Sequence, residues 1–120
     1  MPVTSKGARG STTFFVGDQE IRVLYTNRAL AEIEANLNKS IVEISQGFSD
    51  GKTGIREVAT MLRFGMEASR RDMRDGGRSV TMDDAYKILD ELGFAEIAAA
   101  IIPAIVDMLT PKTEDDDTPK

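Results

Sequence analysis

The chain has 120 residues, 41% of them hydrophobic, with five Phe, two Tyr and no Trp, which suits one domain with a real core rather than a disordered chain. It has no Cys and no His, so disulfides, thiol nucleophiles, thiolate metal sites and imidazole acid–base chemistry are excluded. The formal charge of −5 is wrong for nucleic acid, whose phosphates call for a basic surface.

Residues 1–11 are small, polar and glycine-containing, and read as a flexible lead-in. They have no apolar h-region, and nowhere does an uncharged apolar stretch approach membrane length, so neither a signal peptide nor a membrane partner is expected. TTFFV and EIRVLYT follow, separated by a Gly-Asp turn signal. In the second run Ile21, Val23 and Tyr25 fall on one face and Arg22 and Leu24 on the other. That spacing predicts a β-hairpin, which must pack on helices to be stable.

Asn27 is the expected N-cap of a helix to about Leu37, with Leu30, Ile33 and Leu37 on one face. Asn38-Lys39 breaks it. Ser40 then caps a short helix, with Glu43 completing a capping box. SDGKTG (49–54) reads as a loop. A longer helix is expected from about Ile55 to Arg71, its stripe made of Ile55, Val58, Ala59, Leu62 and Met66, with Phe64 pointing the other way. RDGGRSV (74–80) is a turn, after which Thr81 caps a helix with Asp83 and Asp84 at its positive end. Gly93 closes that helix.

The last helix, Phe94 to Leu109, carries charge only at Glu96 and Asp107. Phe94, Ile97, Ile101, Ile105 and Met108 form one apolar stripe, and Ile102, Val106 and Leu109 extend it round the side. This is more apolar surface than a surface helix needs. The helix is either central to the fold or partly reserved for a partner. Pro103 inside it is expected to kink or break it near Ile102. Residues 110–120 contain Glu114, Asp115, Asp116 and Asp117 between prolines, and read as a disordered acidic tail. The domain is thus expected over residues 12–109.

No arrangement of these residues suggests chemistry. Asp72 to Asp84 fails as an EF-hand in either register, because Arg or Met falls on ligand positions. Glu32 and Glu34 do not face the same way, Asp83 and Asp84 are explained by capping, and Asp90 and Glu91 lie on a polar face. There is no phosphate-binding glycine loop. Arg70, Arg71, Arg74 and Arg78 form a local basic patch, which reads either as a solvated helix end or as a docking site for an acidic segment. No metal, cofactor or catalytic activity is expected.

The order of elements resembles a known family, the tail assembly chaperones of long-tailed bacteriophages and gene transfer agents. The residues that carry the likeness are Gly17-Asp18, Ile21, Val23 and Tyr25, then Ala29-Leu30-Ala31-Glu32-Ile33-Glu34, Asn38-Lys39-Ser40-Ile41, and the segment VTMDDAYKILDELG (80–93). The resemblance covers roughly residues 13–109. It implies an α+β fold, a hairpin packed on four to five helices. It also implies a non-catalytic protein that coats the apolar tape measure protein, helps recruit tail tube subunits in the host cytoplasm, and is absent from the finished virion. On that reading Phe64, Ile102, Val106 and Leu109 form the partner surface, by helix-in-groove binding, and a homo-oligomer is compatible with it. The alternative is a structural tail or head–tail connector component of the virion.

Overall fold

A two-residue turn sets the N-terminal sheet. In the computed structural model, which describes residues 9–110 other than Asp75, β1 (Ser11–Val16) and β2 (Gln19–Leu24) pair antiparallel. Ser11 lies opposite Leu24, Phe14 opposite Ile21 and Val16 opposite Gln19. Only Gly17 and Asp18 connect the strands. Gly17 has φ 61° while Asp18 keeps a negative φ, the combination of a type II′ turn, whose twist matches that of the flanking strands. One face of the ribbon sends Ile21 and Val23, and just beyond them Tyr25, into the core. Of the expected flexible lead-in (1–11) and acidic tail (110–120), residues 1–8 and 111–120 lie outside the described residues, whereas Arg9 and Gly10 are hydrogen-bonded to Asp107 and Ser11 opens β1. Arg9 donates from Nε and Nη2 to the Asp107 carbonyl at 3.2 and 2.9 Å, and from Nη2 to the Thr110 carbonyl.

Five helices follow, and local capping fixes their starts. For α1 (Asn27–Leu37) the cap is Thr26, one residue earlier than the sequence suggested. Thr26 ends the strand in extended backbone, so its Oγ1 can accept from the Ala29 N–H at 3.0 Å, while Asn27 is already helical. Asn38 ends α1 in the left-handed region at φ 57°, a conformation that Asn tolerates better than most residues. Before α2 (Ile41–Ser49), Ser40 Oγ accepts from Glu43 N–H at 3.0 Å and Ser40 N–H donates to Glu43 Oε1 at 3.3 Å. Glu57 accepts from the Gly54 N–H at 3.0 Å at the start of α3 (Ile55–Asp72). At α4 (Met82–Leu92), Thr81 and Asp84 form the second reciprocal box, at 3.2 and 2.9 Å.

Between α4 and α5 (Phe94–Leu109) the chain turns by 116° on a single residue, Gly93. Its φ of 94° and ψ of 151° belong to a region essentially closed to residues with a Cβ. Among the described residues no single helix is long and apolar enough to cross a membrane.

The fold is therefore α+β, a hairpin followed by five helices, as expected. α3 is its central post, touching β2, α1, α4 and α5. Its Val58, Ala59, Met61 and Leu62 are fully buried. Tyr25 lies flat against it, donating its hydroxyl to the Met61 carbonyl at 2.8 Å. Gly65 makes that approach possible, because a Cβ there would stand 2.6 Å from the phenol ring.

Of the two readings that the sequence of α5 allows, the structure shows the first, a helix central to the fold. The helix is surrounded by α2, α3, α4 and β1, so Ile97, Ala98, Ile101 and Ile105 are fully buried and Ile102 and Ala104 nearly so. The apparent excess of apolar surface is what a helix with neighbours on several sides needs. The expected break at Pro103 is absent, since α5 is continuous through it. Pro103 sits on the solvent side, and so does Ala99, whose carbonyl loses its helical partner and can turn to water instead.

Candidate functional site

The four apolar residues expected to form a partner surface do not sit alike. On α5, Ile102, Val106 and Leu109 follow one face at helical spacing, but their exposure differs along it. Ile102 is 9% exposed and belongs to the core. Val106 is 41% exposed, and Leu109 is half-buried against the core. Phe64 stands on α3, half-buried, with the guanidinium carbon of Arg63 4.8 Å from its ring centroid. Arg63 Nε in turn donates to the Val80 carbonyl at 3.2 Å. Phe64 is thus covered in part by its neighbour, and it packs against the core.

Three of the four arginines, Arg70, Arg71 and Arg78, have internal partners. Glu67, buried on α3, accepts from Arg70 Nε at 3.0 Å and Nη2 at 2.7 Å, and from Arg71 Nε at 3.0 Å. It also accepts from the Val80 N–H at 2.9 Å, which ties the α3–α4 connection back onto α3. The fork of Arg70 does most to draw its carboxyl down to about 2, with the Val80 N–H adding to it against the opposing effect of burial. Arg78 forks onto Asp84 with two 2.9 Å hydrogen bonds and holds that carboxyl well below the usual range. Arg74, in left-handed backbone at φ 55°, has no ion pair among the described residues.

Sequence reasoning missed two features. Glu67 is one, although an acid on the flank of an apolar stripe, followed by Arg at i+3 and i+4, is a readable signal for a buried ion cluster. The other is Phe15. Phe14 and Phe15 are adjacent on a strand, so one of them must face out, and Phe15 does, at 58% exposure. Beside the hairpin, the end of α3 and β2 enclose an open recess of about 290 Å³, with Ile21, Met66, Met73 and Val80 along it and Arg22 and Arg70 at its edge. Among the described residues no group of three or more acidic side chains could hold a metal ion.

A family model described as phage tail tube protein, GTA-gp10, matches residues 9–108. Comparison with curated proteins and with solved structures gave no match. The phage and gene-transfer-agent tail context is thus established, but two expectations are overturned. The description is of a tube protein, a structural part, and not of a chaperone for the tape measure protein. A tube protein is also part of the virion, so the expected confinement to the host cytoplasm and absence from the mature particle fall with it. The structure supplies a physical side to this correction, because most of the apolar stripe of α5 is enclosed by the protein's own helices and β1. With one hundred consecutive positions matched, the chain belongs to the phage tail tube protein, GTA-gp10, family.

Proposed function

We propose that this protein is a structural component of a phage-type tail, present in the finished particle in many copies and contacting tail tube subunits. The match of residues 9–108 to a tube protein family is the observation that carries this reading. The burial of α5 supports it, since most of its apolar surface is taken up by α2, α3, α4 and β1. Repeated subunits of a tail meet through modest surfaces used over and over. Val106, with Leu109 beside it, and Arg74 at the end of α3 are accessible positions for such contacts.

Particle composition tests the proposal. Tails or whole particles purified by density gradient and analysed by quantitative mass spectrometry should contain this chain in a fixed ratio to the other tail proteins, and antibody labelling should decorate the tail. A protein abundant in the lysate and missing from purified particles would overturn the reading.

A further inference from the structure

The two edges of the hairpin are built differently. Tyr25 N–H donates to the Gly10 carbonyl at 2.9 Å, which extends the strand register by one pair and fixes its phase. In an antiparallel ladder, hydrogen-bonded and non-hydrogen-bonded pairs alternate. Thr12, Phe14 and Val16 therefore turn their backbone groups toward β2, while Thr13 and Phe15 turn theirs outward. Among the described residues, no hydrogen bond from outside the hairpin reaches Thr13 or Phe15. By the same phase Glu20 and Arg22 face outward on the β2 edge, where they pair with each other at 3.7 Å. Charges of this kind are how proteins blunt a strand edge. β1 has no such guard. From Ser11 to Val16 it carries no charge, no proline and no bulge, and it displays the exposed ring of Phe15.

We infer that the outer edge of β1 pairs antiparallel with the β1 edge of a second copy, giving a four-stranded sheet in the order β2-β1-β1-β2. The choice of occupant rests on the structural-subunit reading above, and the edge itself favours it. Across a two-fold axis every residue meets its own kind or a near neighbour, so a charged edge would repel itself, and this strand has nothing to repel. With Thr13 opposite Phe15 of the other copy, each such pair exchanges both backbone hydrogen bonds. An aromatic then stands beside a β-branched side chain, a favourable cross-strand combination. A contact one strand long falls short of the roughly 1,200 Å² of a stable pair, so the association is weak in free solution, and being two-fold it closes at two copies.

The experiment uses the full chain. Sedimentation equilibrium from roughly 10 μM to 1 mM should show reversible dimerisation, and amide hydrogen exchange of Thr13 and Phe15 should slow as concentration rises. Thr13→Glu and Phe15→Lys each place a charge on the outward face, beside Arg22 and Glu20 respectively, so the monomer keeps its fold, checked by circular dichroism. Either change alone should weaken the dimer at least about tenfold. The double variant should recover it, because the new carboxylate at position 13 faces the new ammonium at position 15 of the other copy. A wild-type protein that stays monomeric at 1 mM, single variants that dimerise as before, or a double variant no better than the singles would overturn this pairing. Dimerisation through β1 by a protein missing from particles would instead refute the structural-subunit reading and leave the edge contact standing.

Discussion

Gly65→Ala is the sharpest probe of how the hairpin is mounted on α3. In an ordinary helix interior this change stabilises by roughly 0.5–1 kcal/mol, because alanine loses less backbone freedom on folding. Here the added Cβ would lie 2.6 Å from both Cζ and the hydroxyl oxygen of Tyr25, and 2.9 Å from Cε1. Tyr25 cannot step aside: it is fully buried and its hydroxyl is anchored on the Met61 carbonyl. Overpacking of this kind costs about 1–3 kcal/mol, and displacing the phenol from the Met61 carbonyl costs about another 1–3 kcal/mol. After subtracting the helix-propensity gain, a net loss of about 1–5 kcal/mol is expected, or roughly 5–25 °C in Tm for a domain of about 100 residues. Gly47→Ala is the internal control. Its Cβ would meet only Thr53 Oγ1, at 3.5 Å, so it should stabilise by about 0.5–1 kcal/mol. Urea unfolding of both variants provides the comparison. If Gly65→Ala were as benign as Gly47→Ala, the seating of Tyr25 on α3 would be wrong.

The other expectations are local. Thr26→Ala should cost about 1 kcal/mol in urea unfolding and Asn27→Ala no more than about 0.5, because Thr26 holds the cap. Gly93→Ala should cost about 1–3 kcal/mol by the same measurement, the strain of a Cβ at that φ and ψ. The Glu67 carboxyl sits at about 2 in the fold against an ordinary 4.5, a difference worth roughly 3 kcal/mol. A depressed carboxyl stabilises above its unfolded value, so this contribution is complete above pH 4.5 and drains away as pH falls toward 2. Glu67→Gln should therefore flatten the fall in stability measured by denaturant titration across that window, and an unchanged profile would refute the role given to the cluster.

How much of this was legible in the sequence depended on the range of the interaction concerned. The hairpin could be read because the alternation of Ile21, Val23 and Tyr25 and the Gly17-Asp18 turn are local signals. The Ser40–Glu43 box and the Thr81 cap could be read for the same reason, each being closed within one turn of helix, whereas the return bond that Asp84 accepts from Thr81 N–H emerged only in the structure. Asn27 is a good capping residue type and so is Thr26, and only the extended backbone at Thr26 gives it the cap. Pro103 followed its local rule on paper, yet burial of the opposite side of α5 holds the helix together and leaves the lost hydrogen bond on the wet side. Among the candidate site residues, periodicity put Ile102, Val106 and Leu109 on one face correctly. It could not separate the buried Ile102 from the exposed Val106, because that depends on which elements stand beside the helix.

The same distinction separates the chaperone expectation from the structural one. The former came from a family resemblance and drew its physical support from the apolar residues along α5, but a stripe in sequence says how much surface a helix must bury without saying who buries it. Once α2, α3, α4 and β1 surround α5, its demand is met from within the chain. The hairpin is the reverse case. Its composition is unremarked in any count, but a two-stranded sheet is marginal by itself, and its backbone has a row of hydrogen-bonding groups that α3 cannot reach from the face it covers. A subunit whose helices are self-sufficient and whose sheet is open on an uncharged edge is suited to joining copies of itself, and poorly suited to sheathing another protein's helix.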